Sequence, residues 1–242
     1  MTWFGASGEA LARAFELPRV EAYEELGSTM DAAHALAADG AAAGTLVLAE
    51  LQTTGRGRGG KRWSSAPRAG IWGTLIERPR DASGLDVLSL RVGIRLARVL
   101  SRWTPSAIGL KWPNDLFVGA RKLAGVLIEA RWREQRPDWV AIGIGVNLVV
   151  PDDQPDAAAL TNANALDVLA ELLPVVRAAA FASGPLKPSE LEEFAARDIA
   201  RDRPLSAPAS GIARGITADG ALLIESNGEI VPHRAGSLVF SS

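Results

Sequence analysis

A basic, glycine-rich segment between residues 55 and 63 has the composition of an anion-binding loop. It reads Gly55-Arg-Gly-Arg-Gly-Gly-Lys-Arg-Trp63, and no acidic residue accompanies its cations from Gln52 to Ser65. Glycines let backbone N–H groups approach a phosphate, and Trp63 is available to stack on a base. The segment formally fits G-x-G-x-x-G and the first seven positions of a P-loop, but Arg62 stands where a P-loop needs Ser or Thr. A phosphate-binding loop is predicted, with a solvated basic linker and an Arg-Gly RNA-binding segment as alternatives.

Two lysine-containing motifs follow one another at a distance that fits a strand, a turn and a second strand. Lys111-Trp-Pro-Asn-Asp115 precedes Arg121-Lys-Leu-Ala-Gly125. Pro113 cannot donate a hydrogen bond to a sheet and restricts the residue before it, so Asn114 and Asp115 should emerge at a strand end. Polar side chains at a strand end are candidates for a site. A plain turn beside a surface lysine is the alternative.

A third motif, Gly143-Ile-Gly-Val-Asn147, interrupts an otherwise apolar strand with two glycines and an Asn. Glycine weakens a strand and often marks the close approach of a ligand or of another backbone. A β-bulge would explain the same pattern.

Three helical regions surround these motifs. Ser28-x-x-Asp31 predicts a capping box at the start of a helix that continues to Asp39. The pattern over 164–201 predicts two further helices, with a break near Pro185 and Pro188. Apolar residues at helical spacing predict a helix over 85–103, with one solvated face that carries four arginines: Arg91, Arg95, Arg98 and Arg102.

Short apolar runs predict a sheet of at least five strands. Beyond Pro204 the character changes, because short strands alternate there with Asp219-Gly220 and Asn227-Gly228, which are typical of tight hairpins. These strands predict a small β-barrel of about forty residues. The first set of strands is predicted at residues 45–50, 71–76, 108–112, 116–118, 123–132 and 139–150, with a long loop over 51–69, and the second set at 210–216, 221–225, 229–232 and 237–240.

Charge and composition exclude several classes of function. The 26 Lys and Arg and 28 Asp and Glu leave a net charge of −2, so any phosphate contact must be local. The absence of cysteine excludes thiolate zinc sites and Cys nucleophiles. His34 and His233 are the only imidazoles, and we predict neither a metal site nor a catalytic role for them. Without a leader pattern or a long apolar run, the chain is predicted to be cytoplasmic and free of the membrane.

Taken in order, the motifs resemble those of the biotin protein ligases from about residue 20 to 240. Their joint order and spacing carry the likeness. They are Gly27-Ser-Thr29, Glu50-Leu-Gln52, Gly55-Arg-Gly-Arg58 with Trp63, Lys111-Trp-Pro-Asn-Asp115, Arg121-Lys-Leu-Ala-Gly125, Gly143-Ile-Gly-Val-Asn147 and Gly215-Ile-x-x-x-Gly-Ala-Leu-Leu223.

The resemblance implies a fold and a reaction. The fold is a mixed α/β (α+β) catalytic domain with flanking helices over 1–202 and an SH3-like β-barrel over 203–242. The reaction takes biotin and ATP with Mg²⁺ to biotinyl-5′-AMP, and the biotinyl group then passes to a lysine of a biotin carboxyl carrier protein, a subunit of acetyl-CoA carboxylase.

The resemblance also implies roles for individual residues. Arg58 and Lys122 would offset charge where carboxylate meets α-phosphate, and Asp115 would stand near the incoming lysine; these three are the expected catalytic set. No residue is expected to ligate a metal. Biotin and the adenylate would contact Ser28, Thr29, Met30, Gln52, Gly55, Arg56, Gly57, Arg58 and Lys122, and the nucleotide Trp63, Lys111, Asn114 and Asn147.

Two departures from the family pattern and two alternatives accompany this expectation. Met30 stands where the family pattern Ser-Thr-Asn has its Asn. The polar contact of that third side chain is therefore missing from the biotin pocket. The catalytic motifs begin almost at once, so we expect a monofunctional ligase without an amino-terminal DNA-binding domain. A lipoate or octanoate ligase on a similar fold and an RNA-binding module are the alternatives. The oligomeric state is left open, with a homodimer among the options.

Overall fold

Residues 1–241 are described by a computed structural model in which short helices alternate with strands. The helices are α1 (Gly8–Ala14), α2 (Thr29–Ala38), α3 (Leu88–Leu100), α4 (Ala165–Ala180) and α5 (Pro188–Arg197). Single 3₁₀ turns lie at Arg58–Gly60, Leu85–Val87 and Ser101–Trp103. The strands are β1 (Thr2–Trp3), β2 (Ala6–Ser7), β3 (Val20–Leu26), β4 (Thr45–Gln52), β5 (Gly70–Glu77), β6 (Ile108–Lys111), β7 (Asp115–Val118), β8 (Arg121–Arg133), β9 (Arg136–Asn147), β10 (Pro204–Ala207), β11 (Gly211–Ile216), β12 (Leu222–Ser226), β13 (Glu229–His233) and β14 (Val239–Phe240).

The main sheet has seven strands in the order β3-β4-β5-β9-β8-β7-β6. β3 and β4 run parallel, and every other neighbouring pair is antiparallel. The prediction of a mixed sheet with flanking helices is therefore confirmed. β5 is buried along its whole length, as expected for a nearly continuous apolar run in the middle of a sheet.

The two faces of this sheet pack against different helices. Successive strand residues point to opposite faces, so β4 places Leu46 and Leu48 in the large core beneath α3 and α4 and Val47 in a smaller cluster beneath α2. β9 likewise gives Ile142 and Ile144 to the large core. Gly143 and every second residue after it on β9 therefore face the side of the sheet that α2 covers.

Residues 204–240 form a separate five-stranded antiparallel sheet in the order β13-β12-β11-β10-β14. The predicted β-structure is confirmed. Closure into a barrel is not, because no pairing joins β13 to β14 among the residues described. This sheet contacts the rest of the chain through the indole N–H of Trp112, which donates to the Gly220 carbonyl at 2.9 Å. The backbone N–H of Leu186 also donates to the Ala218 carbonyl, at 2.8 Å.

Some elements escaped the sequence patterns. β1, β2, α1 and β3 precede residue 28, where no element was predicted, and β10 begins at a proline. The predicted strand over 139–150 ends at Asn147, and the helix over 85–103 is α-helical only from Leu88 to Leu100. None of the helices within residues 1–241 combines the length and the apolar character needed to span a membrane.

The prediction that the arginines of α3 form a solvated face is wrong for Arg91. Arg91 is 1 % exposed, and its guanidinium donates to both carboxylate oxygens of Glu190, at 2.9 and 3.3 Å. It also donates to the carbonyls of Ala182, Gly184 and Pro185 at 2.9–3.3 Å. Arg91 therefore joins α3 to the connection between α4 and α5. Arg98 and Arg102 are exposed, as predicted.

Replacing Arg91 with Met should destabilise the protein strongly. The variant would remove the charged donor from the Glu190 carboxylate, which would keep only the Lys187 N–H, and from three carbonyls. Breaking a buried ion pair in this way costs about 3–5 kcal/mol. Arg98→Met, also on α3, removes the ion pair between Arg98 and Glu193 of α5; because Arg98 is exposed, this change should cost at most about 1 kcal/mol. Urea unfolding of both variants measures the difference. Equal losses would contradict a central role for Arg91.

Candidate functional site

A cavity opens on the α2 side of the main sheet, and a second adjoins it. Most of the predicted site residues line one or both of them. The first contains Ser28, Thr29, Met30, Gln52, Arg56, Gly57, Arg58, Trp63, Asn114, Asp115 and Lys122. The second adds Lys111 and Asn147. Gly55 lines neither of them, and a Cβ there would lie 2.7 Å from the Trp63 carbonyl oxygen.

Glycines on β8 and β9 form the floor of the first cavity. Gly125 and Gly145 pair with one another across the two strands, and the Trp63 indole lies over both. A Cβ on Gly145 would be 2.5 Å from Cζ2 of Trp63, and one on Gly143 would be 2.7 Å from Cε of Met30. The β8–β9 register shifts only near Arg131, far from these residues, so the β-bulge interpretation is wrong. The glycines make room for two side chains of this chain itself.

Polar groups gather at one end of the cavity, where α2 begins. The Oε1 atom of Gln52 accepts from the backbone N–H of Thr29 at 2.9 Å and from its hydroxyl at 3.0 Å. The Thr29 hydroxyl also lies 2.9 Å from that of Thr74 on β5. Because Gln52 accepts through its oxygen, its amide N–H groups remain free to donate.

Ser28 does not make the predicted capping box. It is the N-cap of α2, yet its hydroxyl makes no capping bond. The Oγ atom is buried and has no hydrogen-bond partner among the residues described. A buried polar atom without a partner is costly, so this hydroxyl is a candidate for contact with a polar ligand atom.

Cations converge at the opposite end of the cavity. The ammonium of Lys122 lies 2.7 Å from Oδ1 of Asp115 and 4.9 Å from the centre of the Trp63 ring. The Arg58 guanidinium donates to the Gly236 carbonyl at 2.5 Å and lies 5.9 Å from the Trp112 ring. Two of the three predicted catalytic side chains thus form an ion pair, and the third contacts the terminal sheet.

Lys111 stands between two aromatic rings in the adjoining cavity. Its ammonium lies 5.7 Å from the ring centre of Phe117 and 5.3 Å from that of Phe240 on β14. Burial lowers the pKa of Lys111, and neighbouring cations, Lys122 among them, lower it further against the opposing effect of Asp115. An anion bound here would relieve this crowding of positive charge.

Asn114 and Asn147 use their amide groups within the protein. Asn114 Nδ2 donates to the Val126 carbonyl at 2.8 Å, which ties the turn after β6 to β8. Asn147 Nδ2 donates to the carbonyls of Ala158 at 2.9 Å and Lys122 at 3.4 Å. Both side chains therefore bind the backbone of β8. For its predicted contact with a nucleotide, Asn147 has only its amide oxygen left, whereas Asn114 keeps its oxygen and one N–H.

Arg56 has acidic partners that its own segment lacks. Its guanidinium lies 2.6 Å from Asp31 in the first turn of α2 and 2.6 Å from Glu129 on β8. Sequence reasoning missed both carboxylates, since they lie far from the loop along the chain. Among residues 1–241 no cluster of three or more His, Asp and Glu is placed to hold a metal ion.

Gly145→Ala should displace the Trp63 ring. The added methyl group would overlap the indole, and overpacking of this kind costs about 1–3 kcal/mol. The indole N–H signal of Trp63 in a ¹H–¹⁵N spectrum, assigned with Trp63→Phe, reports the displacement. Gly93→Ala on α3 is the control, because its nearest neighbour would be 3.7 Å away. An unmoved Trp63 signal in Gly145→Ala would contradict the packing described here.

Comparison with known proteins identifies the family. The Biotin/lipoate A/B protein ligase family model matches residues 24–147. The biotin--[acetyl-CoA-carboxylase] ligase of Mycobacterium tuberculosis is 30% identical over 91% of this chain and 88% of its own. The bifunctional ligase/repressor BirA of Escherichia coli is 32% identical over 82% of this chain and 67% of its own length. The Bacillus subtilis BirA is 37% identical, but the match spans only 42% of that protein.

Solved structures agree on the fold. The biotin protein ligase from Aquifex aeolicus, solved with biotin and ATP, superposes with a TM-score of 0.74 at 23% identity and covers 92% of this chain and 99% of its own. The Leishmania major enzyme, solved with biotinyl-5-AMP, gives a TM-score of 0.57 at 22% identity, over 89% of this chain and 98% of its own. The family model and the mycobacterial relative together confirm the resemblance in the sequence motifs: this chain belongs to the biotin/lipoate A/B protein ligase family.

Proposed function

We propose that this chain is a biotin protein ligase, which activates biotin with ATP to biotinyl-5′-AMP and transfers the biotinyl group to a lysine of a biotin carboxyl carrier protein. The observation that carries the proposal is one cavity lined by three kinds of group. They are the buried hydroxyl and amide groups of Ser28, Thr29 and Gln52, the apolar surface of Met30 with the glycines, and the cations Arg58 and Lys122. Such a cavity suits a small, partly apolar acid whose carboxylate reacts at a cationic entrance.

The polar end would hold the head group of the acid. Among residues 1–241 the Ser28 hydroxyl has no hydrogen-bond partner, and the amide N–H groups of Gln52 make no hydrogen bond. These two side chains can donate to a carbonyl oxygen, and Ser28 can also accept from an N–H. Met30 adds apolar surface where the family pattern has a polar Asn, so the head group would rely on Ser28, Thr29 and Gln52.

The cationic end would carry the first chemical step. A carboxylate oxygen of biotin attacks the α-phosphorus of ATP, the anhydride bond to phosphorus forms, and pyrophosphate leaves. Negative charge gathers on the phosphoryl oxygens during this step, and fixed cations stabilise it. We assign this role to Lys122 and Arg58, with Lys111 beside the leaving pyrophosphate and Trp63 against the adenine ring.

In the second step the amine of the carrier lysine attacks the acyl carbon, and AMP leaves. That lysine has an ordinary pKa of about 10.4 and arrives protonated at neutral pH. Asp115 is already paired with Lys122, and an aspartate is a poor base near neutral pH. We therefore propose that Asp115 attracts and orients the incoming ammonium while it keeps Lys122 aimed at the phosphate. The ammonium gives one proton to water before its neutral amine attacks, and the second proton, released as the amide forms, passes to the departing AMP or to water.

Mg²⁺ would enter with the triphosphate. This cation is usually held by one or two carboxylates together with substrate phosphates. Asp115 is the carboxylate that lines both cavities, and it is paired with Lys122. The donor set fits an ion carried mainly by the nucleotide, and no step proposed here depends on a protein-bound metal.

The remaining proposals concern organisation and location. We propose a catalytic domain over 1–202 and a terminal domain over 203–242, which supplies Gly236 to Arg58 and Phe240 to Lys111. We also propose that the protein is cytoplasmic and acts without contact with DNA or membrane. A homodimer stays one option for its oligomeric state.

A pyrophosphate exchange assay tests the proposed substrate. We expect biotin to support ATP–pyrophosphate exchange, while lipoate and octanoate, offered in parallel, do not. Exchange with lipoate or octanoate instead would keep the chemistry and overturn the substrate. No exchange with any of the three acids in a folded preparation, together with direct binding of RNA, would favour a binding module, although a net charge of −2 and the pairing of Arg56 disfavour RNA.

Lys122→Ala should lower the rate of biotin-dependent exchange about a hundredfold or more. The loss corresponds to roughly 3 kcal/mol of transition-state stabilisation by a preorganised cation. The matched control is Lys187→Ala, since Lys187 is exposed at the start of α5 and lines neither cavity. Wild-type exchange by Lys122→Ala would refute the assignment of Lys122 while leaving the substrate proposal intact.

A further inference from the structure

The glycine-arginine segment is a small hairpin whose own bonds do not fix its direction. The backbone N–H of Gly57 donates to the Lys61 carbonyl at 2.7 Å, and that of Trp63 donates to the Gly55 carbonyl at 2.9 Å. At the tip, Gly59 and Gly60 adopt positive φ angles and have open space around them. Something outside the hairpin must therefore set its orientation over the cavity.

The side chain of Arg56 makes one such connection, in addition to the packing of Trp63 on Gly145 and the bond from Arg58 to Gly236. One guanidinium nitrogen binds Oδ1 of Asp31 on α2, and another binds Oε1 of Glu129 on β8, each at 2.6 Å. The planar fork of arginine thus ties the stem of the hairpin to two separate elements. We call Arg56, Asp31 and Glu129 the arginine clamp.

Glu129 is itself held in place from the interior. Its second oxygen lies 3.0 Å from Nε2 of His34, and Nδ1 of His34 lies 2.9 Å from Nε1 of Trp139. An indole N–H can only donate, so Nδ1 must accept and Nε2 must carry the proton given to Glu129. A continuous set of hydrogen bonds therefore runs from Trp139 through His34 and Glu129 to the loop.

We propose that Asp31 and Glu129 are positioning residues for the adenylation site: through Arg56 they hold the hairpin in the orientation that covers the adenylate, and His34 orients Glu129. The inference rests on the proposed function, because it names what the held loop protects. It also changes the expectation for Arg56. Both contacted guanidinium nitrogens are committed to carboxylates, so Arg56 acts as the anchor of the loop and leaves the phosphate to Arg58 and Lys122.

The clamp predicts a defined pattern of adenylate release. Asp31→Asn and Glu129→Gln should each speed the dissociation of biotinyl-5′-AMP from the full-length enzyme about threefold, since each weakens one partly exposed ion pair. Arg56→Gln, which breaks both pairs, should speed dissociation about tenfold. Adding Glu129→Gln to Arg56→Gln should then have no further effect, because the pair is already broken. Release is followed with radiolabelled adenylate.

Two further measurements separate positioning from general destabilisation. Tryptic cleavage after Arg58, Lys61 and Arg62, measured without ligands, should accelerate in the clamp variants. Their thermal midpoints should stay near that of Glu134→Gln, a control that alters an exposed carboxylate in the turn after β8. If the wild-type chain forms no adenylate, the cleavage rates still test the clamp, so failure of the proposed function and failure of this inference are distinguishable.

The opposite pattern would overturn the proposal. If Arg56 binds the phosphate directly, Arg56→Gln alone will speed release, and Asp31→Asn and Glu129→Gln will slow it or leave it unchanged by freeing the guanidinium. Unchanged tryptic cleavage in all of the clamp variants would likewise show that the hairpin does not depend on these carboxylates.

Discussion

The proposed site depends on three glycines on one face of two neighbouring strands. On β8 and β9 apolar residues at every second position point into the large core, and Gly125, Gly143 and Gly145 occupy site-facing positions between them, beside Leu127. A cavity can open there because the backbone itself forms its floor. The side chains of Trp63 and Met30 occupy the space above the glycines. This close packing fixes the position of Trp63, which lies beside the cations of the site.

Charge in the site is balanced locally. The protein has almost no net charge, yet six cationic side chains belong to the two cavities: Arg56, Arg58, Lys61, Arg62, Lys111 and Lys122. Asp115 and the clamp carboxylates neutralise two of them, whereas Lys111 is crowded by like charges and burial. The unbalanced positive charge is therefore concentrated where a phosphate would bind, which is the requirement for stabilising an anionic transition state.

Several parts of the fold and of the site could be predicted because their signals are local. The strand-turn-strand around Pro113 and the glycine pattern of β9 depend on backbone sterics that a few residues determine. The roles of Arg91, Arg56 and Ser28 could not be predicted. Arg91 has the spacing of a solvated helix face and is buried because the α4–α5 connection covers it. Ser28 has the sequence of a capping residue, but Asp31 is drawn instead to Arg56.

By itself the sequence determined the chemistry available to this protein: a basic glycine-rich loop, two lysine motifs, a glycine-interrupted strand, and neither thiols nor a histidine cluster. Residue types and short-range spacing suffice for that, since they reflect what each segment can do alone. Only the tertiary structure decided which cations pair with carboxylates, which asparagines brace the backbone and which glycines lie beneath Trp63 and Met30. These outcomes depend on contacts between residues distant in the chain, and folding alone sets those distances.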